Sequence, residues 1–124
     1  MIDFTNKNLI KLKMTNNSEG ETAVKDLLID NETVQFSFVS MRDKLVFTDK
    51  RMIAVNVQGI TGKKIDYTSI PYSNIQIYSV ETSGNFDLDS EIDITISGLG
   101  TVRFELNAQT DIKQLGKFMS SKIL

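Results

Sequence analysis

From Val34 onward, apolar residues recur at every second position: Val34, Phe36 and Phe38 alternate with Gln35 and Ser37. Leu45 and Phe47 follow, then Ile53, Val55 and Val57, Ile75 and Ile77, Ile92, Ile94 and Ile96, and finally Val102, Phe104 and Leu106. Strands that bury one face give this period, because successive side chains point to opposite faces. Turn-forming residues separate the runs: Thr48-Asp49-Lys50-Arg51, Gln58-Gly59, Ser83-Gly84-Asn85 and Gly98-Leu99-Gly100. About seven short strands at this spacing predict an antiparallel sandwich or barrel.

The period turns helical on both flanks. Val24, Leu27 and Leu28 stand at i, i+3, i+4, which predicts a short N-terminal helix within residues 21–29, ended by a turn at Asp30-Asn31. Near the C-terminus, Thr110 reads as an N-cap and Asp111 as a first-turn acid that suits the helix dipole. Ile112, Leu115, Phe118, Met119 and Lys122 then line one stripe, with Ile123 beside it, so this helix lies across a sheet or plugs one end of a barrel. Gly116, inside that helix, costs about 1 kcal/mol against alanine. Residues 1–19 are polar and mixed, with only Leu9, Ile10 and Met14 on one helical face. They read as a loosely held arm before a domain over residues 20–124.

Composition removes several kinds of chemistry. The 124 residues suit one domain with a real core. Neither cysteine nor histidine occurs, so disulfides, Cys/His zinc sites and the Ser-His-Asp and Cys-His catalytic arrangements are excluded. A net charge of −2 carries no general affinity for nucleic acid. The longest apolar run, Met52 to Val55, has nowhere near the roughly 20 residues of a membrane span. The N-terminal stretch MIDFTNKNLIKLKM shows no signal-peptide pattern, and a cytoplasmic protein is expected.

Two stretches carry candidate chemistry. In FDLDSEID, Asp87, Asp89, Glu91 and Asp93 alternate, but the glycine and glutamate of a calcium-binding loop are missing at the sixth and twelfth positions. The run reads as a loop entering a strand with an acidic outer face. In QGITGKK, Gly59 and Gly62 enclose two residues instead of the four of a nucleotide-binding loop, and Lys64 stands where Ser or Thr is required. That stretch reads as a hairpin connection. Its Lys63 and Lys64 either hold an anion, together with Lys50 and Arg51, or guard a strand edge against aggregation.

The central segment also resembles the bacterial pleckstrin-homology domain family. The matching features are Arg42-Asp43, Phe47-Thr48-Asp49-Lys50-Arg51, Gln58-Gly59-Ile60-Thr61-Gly62-Lys63-Lys64, Ser69-Ile70-Pro71-Tyr72, Ser79-Val80-Glu81-Thr82 and Phe86-Asp87-Leu88-Asp89, in the family's order and spacing. The resemblance covers residues 20–124. It implies a mainly β fold, a PH-like barrel of two nearly orthogonal antiparallel sheets capped by one C-terminal helix. It also implies homo-oligomeric, ring-like assemblies and no established enzymatic activity. No catalytic residue, metal ligand or cofactor is assigned.

Two functions are therefore weighed. The first is a non-enzymatic interaction domain that self-associates and binds a protein partner, with Thr48, Ile70 to Tyr72, and Tyr78 as candidate contact residues. The second is a module for anions or an anionic membrane surface, using Lys50, Arg51, Lys63 and Lys64.

Overall fold

The computed structural model describes residues 1–4, 11–82, 89–107 and 110–124. Strands β1 (Lys13–Thr15), β2 (Val34–Val39), β3 (Asp43–Thr48), β4 (Arg51–Gln58) and β5 (Lys64–Pro71) form one sheet in sequence order. Strands β6 (Ile77–Glu81), β7 (Ser90–Ile96) and β8 (Gly100–Leu106) form the second. Every strand pair within the two sheets is antiparallel. Helix α1 (Asn17–Val24) lies between β1 and β2, and helix α2 (Ile112–Ile123) follows β8.

The alternating isoleucines point inward as expected. Ile92, Ile94, Val102, Phe104 and Leu106 from the second sheet meet Phe38, Leu45, Phe47 and Met52 from the first. Leu115 and Met119 of α2 complete this core. Removing either of these from water contributes about 1.5–3 kcal/mol. The unbroken run Met52 to Val55 reflects a strand buried on both faces. Met52 and Ala54 face the main core, while Ile53 and Val55 join Val24 and Val46 in a second cluster on the outer face. Helix α1 covers that cluster. It comes close because Gly20 has no side chain: a Cβ there would lie 1.9 Å from Ser37 Oγ.

Several boundaries differ from the sequence reading. The helix expected within residues 21–29 begins at Asn17 and ends at Val24, and Leu27 and Leu28 fall in the connection that follows. Its cap is Asn16, whose side chain accepts from Glu19 N at 2.9 Å. At α2 the cap is Asp111, accepting from Gln114 N, and Thr110 is buried with its hydroxyl on Asn107 Oδ1. Ile75 and Ile77 do not share one strand. A single 3₁₀ turn, Tyr72–Asn74, separates β5 from β6, leaving Ile75 buried at the corner and Ile77 63% exposed.

The first residues also pack more than a loose arm would. Ile2 and Leu12 are buried in the main core, and Lys13–Thr15 pairs with β2. Leu12 forms a parallel bridge to Leu106; its amide donates to Glu105 O and its carbonyl accepts from Asn107 N. This segment thereby stitches the first sheet to the second. Leu9, Ile10 and the Ser83-Gly84-Asn85 turn lie outside the described residues.

Candidate functional site

The four cations nominated together from the sequence do not meet. Arg51 opens β4, and Lys64 pairs with Gln58 at its far end. Eight residues of strand put the two groups about 23 Å apart.

Arg51 is committed inside the fold. Its Nε and Nη2 donate to the two carboxylate oxygens of Glu32 at 2.9 and 3.0 Å, in the bidentate geometry that suits guanidinium. Nη1 donates to Ser69 Oγ, and Nη2 also donates to Leu27 O. The Glu32 side chain is fully buried. Burial alone would raise its pKa, but hydrogen bonds from Arg51, Thr48 Oγ1 and Ile29 N outweigh it and hold the carboxyl below the ordinary glutamate range. An incoming anion would have to displace Glu32, so Arg51 is an internal brace instead of an anion ligand. Lys50 stands exposed in the turn beside it.

Three of the nominated contact residues are interior as well. Thr48, Ile70 and Tyr72 are buried. Tyr72 Oη donates to Thr48 O at 2.6 Å, and burial pushes its pKa up. Tyr78 is half-buried, with its hydroxyl 2.7 Å from Ser120 Oγ of α2. Only Pro71 of this set is exposed.

The far end of β4 is built differently. Gly59 (φ 77°) and Gly62 (φ 68°) take the positive φ that a tight turn requires and L side chains resist, which supports the hairpin reading of QGITGKK. Arg42, in the turn between β2 and β3, donates from Nη2 to Gly59 O and ties the two hairpin turns together. That contact gathers Arg42, Lys63 and Lys64, all exposed, at one end of the molecule. It also brings together Met41 and Ile60, each fully exposed. The tips carried a readable signal, an apolar residue inside a turn, but nothing local announced that the two turns touch.

Behind the tips lies a cavity of about 320 Å³ between the sheets. Leu45, Ala54 and Phe104 line its apolar side and Asp43, Asn56 and Asp66 its polar rim. Asn56 Nδ2 donates to Asp43 Oδ1 at 2.7 Å, while burial keeps the Asp43 pKa above its ordinary value. Met1 and Ile2 reach into this mouth, with Ile2 N donating to Thr68 Oγ1.

Two strand edges complete the surface. Among the described residues, only β4 pairs with β5, and only β7 with β6. On the outer face of β5, Ile65 is 42% exposed and Tyr67 39%, continuing the apolar strip that α1 covers farther in. Lys64 and Pro71 bound this edge.

The outer face of the second sheet is acidic. Glu81, Glu91 and Glu105 stand opposite one another across the three strands. Arg103 bridges Asp93 at 2.9 Å and Glu91 at 3.2 Å, and Asp89 pairs with Lys11. The part of FDLDSEID that falls on β7 is thus an outer strand face; Asp87 lies outside the described residues. Among the described residues no group of three or more metal-ligating side chains converges, and no helix is long and apolar enough to cross a membrane.

A family model described as bacterial PH domain matches residues 3–123. The crystal structure of a protein with a pleckstrin-homology domain from Shewanella loihica PV-4 superposes with a TM-score of 0.80 at 36% identity, covering 92% of this chain and 98% of that one. A pleckstrin homology domain from Shewanella amazonensis SB2B superposes at 0.67 with 38% identity, over 89% of this chain and 90% of that one. Among curated proteins, the uncharacterized protein YjqA of Bacillus subtilis (strain 168) is 57% identical over 72 residues, 58% of each chain. The uncharacterized protein YvbH of the same organism is 32% identical over 84 residues, 66% of this chain and 40% of its own. The aligned region thus spans less than two thirds of the length of either curated relative.

Proposed function

This chain belongs to the bacterial PH domain family, and we propose that it is a non-catalytic interaction domain that self-associates through the open edge of β5. The observation that carries this reading is that edge itself. It is eight residues long, lies at a sheet border, and carries Ile65 and Tyr67 exposed beside it. An unpaired strand edge offers a row of backbone donors and acceptors to another chain. Lys64 at one end and Pro71 at the other oppose uncontrolled stacking and leave a window with a defined register.

The edge of β6, with Ile77 exposed beside it, is a natural complement on a neighbouring copy. Joining two different edges makes a heterologous contact, which closes into a ring when the rotation permits. Such an assembly would present a protein partner with the acidic outer face of β6 to β8.

Size-exclusion chromatography with light scattering tests the reading. The chain should elute as an oligomer of its 14.0 kDa subunit, and Ile65→Lys with Tyr67→Lys should return it to monomer without unfolding it. A monomeric wild-type chain at micromolar concentration would remove the proposal. The reading that joins Lys50 and Arg51 to Lys63 and Lys64 in one anion site has no geometric support.

A further inference from the structure

We infer that the cavity at the mouth of the two sheets is a binding site for a small primary amine, with its ammonium group on Asp43 and its hydrocarbon chain against Leu45, Ala54 and Phe104. This goes beyond self-association and uses the inner face of the first sheet instead of an edge.

Three observations carry it. First, the strand register sets a polar row on a face that is otherwise apolar. Asp43 stands opposite Asn56, and Asn56 opposite Asp66. Two residues along each strand, on the same face, come Leu45, Ala54 and Thr68, and then Phe47, Met52 and Ile70 of the core. The face thus grades from carboxylates at the rim to hydrocarbon inside, which is the profile of an amine with an apolar body. Asp43 and Asn56 stand on β3 and β4, interior strands of the sheet, where no edge has to be guarded by charge.

Second, Ala54 leaves room. It is the smallest side chain of its row, between Leu45 and Thr68, and it lines the cavity of about 320 Å³ together with Phe104 of the second sheet. That volume falls at the small end of the range for ligand pockets, roughly 300–1,000 Å³.

Third, the rim carboxylates are unequally served. Among the described residues Asp43 is hydrogen-bonded only by neutral donors, Asn56 Nδ2 and the Val57 amide, with Arg42 and Lys44 acting on it as nearby charges. Asp66 shows the chemistry this rim accepts. It takes the Met1 ammonium on one oxygen, and its other oxygen accepts from Thr68 Oγ1, which itself accepts from Ile2 N at 2.8 Å. Ile2 is packed into the main core behind that ammonium. A primary ammonium on a carboxylate with hydrocarbon behind it is therefore already built once into this mouth. Asp43 lies two strands from Asp66, about 10 Å, so a second ammonium can bind without displacing the first. Asp3 and Lys44 also line the cavity, and their charges offset one another.

The test is a ligand-observed NMR titration of the full chain with hexylammonium, using hexanol and hexanoate as neutral and anionic molecules of the same shape. Hexylammonium should bind at least tenfold more tightly than either, as a charge-assisted hydrogen bond requires. From propylammonium to hexylammonium the affinity should rise about fourfold per methylene. Asp43→Asn keeps the shape of the rim and should weaken hexylammonium at least tenfold while leaving hexanol unchanged. Ala54→Leu fills the cavity and should abolish the rise with chain length. If the larger side chain disrupts the fold, its melting curve shows it, and Asp43→Asn remains the deciding variant.

Equal affinity for hexanol or hexanoate overturns the inference. So do affinities that ignore chain length, an Asp43→Asn variant that binds as the wild type does, and the lack of saturable binding at millimolar amine. A loss confined to Asp66→Asn overturns it too, because the amine would then only be competing with the Met1 ammonium. The readout is the same for a monomer and an oligomer, so failure of self-association through β5 leaves it intact.

Discussion

Basic residues stand at both ends of β4, on the strand itself at its start and just beyond it at its finish, and the fold uses them in opposite ways. At its start, Arg51 spreads its guanidinium over Glu32, Ser69 and the Leu27 carbonyl, and its partner carboxylate is fully buried. At its finish, Lys63 and Lys64 stand in solvent on a glycine-shaped turn beside Met41 and Ile60. Side chains of one charge class thus serve as an internal brace at one end and as outward-facing groups at the other. What separates the two ends is whether a partner waits inside. Burying a charge is tolerable only where hydrogen bonds replace its water.

The sharpest way to break this contrast is to remove the braced cation. Arg51→Met should cost about 3–5 kcal/mol in urea unfolding, since Glu32 is left buried without its counter-charge. The same pair sets a pH dependence. The folded pKa of Glu32 lies below its unfolded value, so its stabilisation is complete above the ordinary glutamate range and is lost as pH falls through the folded pKa. Stability measured against pH should fall on that acid limb in the wild type, and Glu32→Gln should flatten it.

A smaller effect tests how tightly α1 is held on the braced side. Gly20→Ala forces a methyl group into Ser37, with 2.7 Å to its Cβ, and should cost about 1–3 kcal/mol despite the better helix propensity of alanine. Gly116→Ala is the gentler comparison, because its contacts are Val80 methyl groups at 3.2 and 3.4 Å on an edge strand. It should change stability by less than Gly20→Ala. Tyr72→Phe removes one buried hydrogen bond to Thr48 O and should cost about 1 kcal/mol. Least of all, Lys63→Ala/Lys64→Ala should alter unfolding by under about 0.5 kcal/mol, as expected for exposed side chains. A loss comparable with that of Arg51→Met would erase the distinction between the two ends.

Much of the barrel was legible because burial on one face leaves a period of two, as at Ile92, Ile94 and Ile96. The helix at the C-terminus was legible for the corresponding reason, its stripe at Ile112, Leu115 and Met119. Elsewhere the pattern misled for identifiable causes. The buried face of α1 is Gly20, Ala23 and Val24, and a glycine that packs closely adds no hydrophobic signal. The cap at Asn16 and Glu19 was the better marker, since it fixes where the helix starts. β1 is three residues long and mostly exposed, so it has no room for a period.

The surface was harder to read than the core. Lys63 and Lys64 could be picked out as adjacent charges, but the binding of Arg51 to Glu32 spans 19 positions along the chain and leaves no local trace. Met41 and Ile60 come to one end because the start of β3 pairs with the finish of β4, and Arg42 then ties their two turns together by reaching Gly59. Pairings of that kind follow from topology, and no window of neighbouring residues contains them.

The bridge between Leu12 and Leu106 sets a timetable for the nascent chain. One side of the seam is synthesised near the start and the other only when β8 is complete, so the barrel cannot zip shut until most of the polypeptide has emerged. Contacts so distant in sequence make folding slow relative to a helical protein of this size. Until then the inner faces of the first sheet stay uncovered, and the gatekeeping Lys64 and Pro71 beside β5 matter most during that interval.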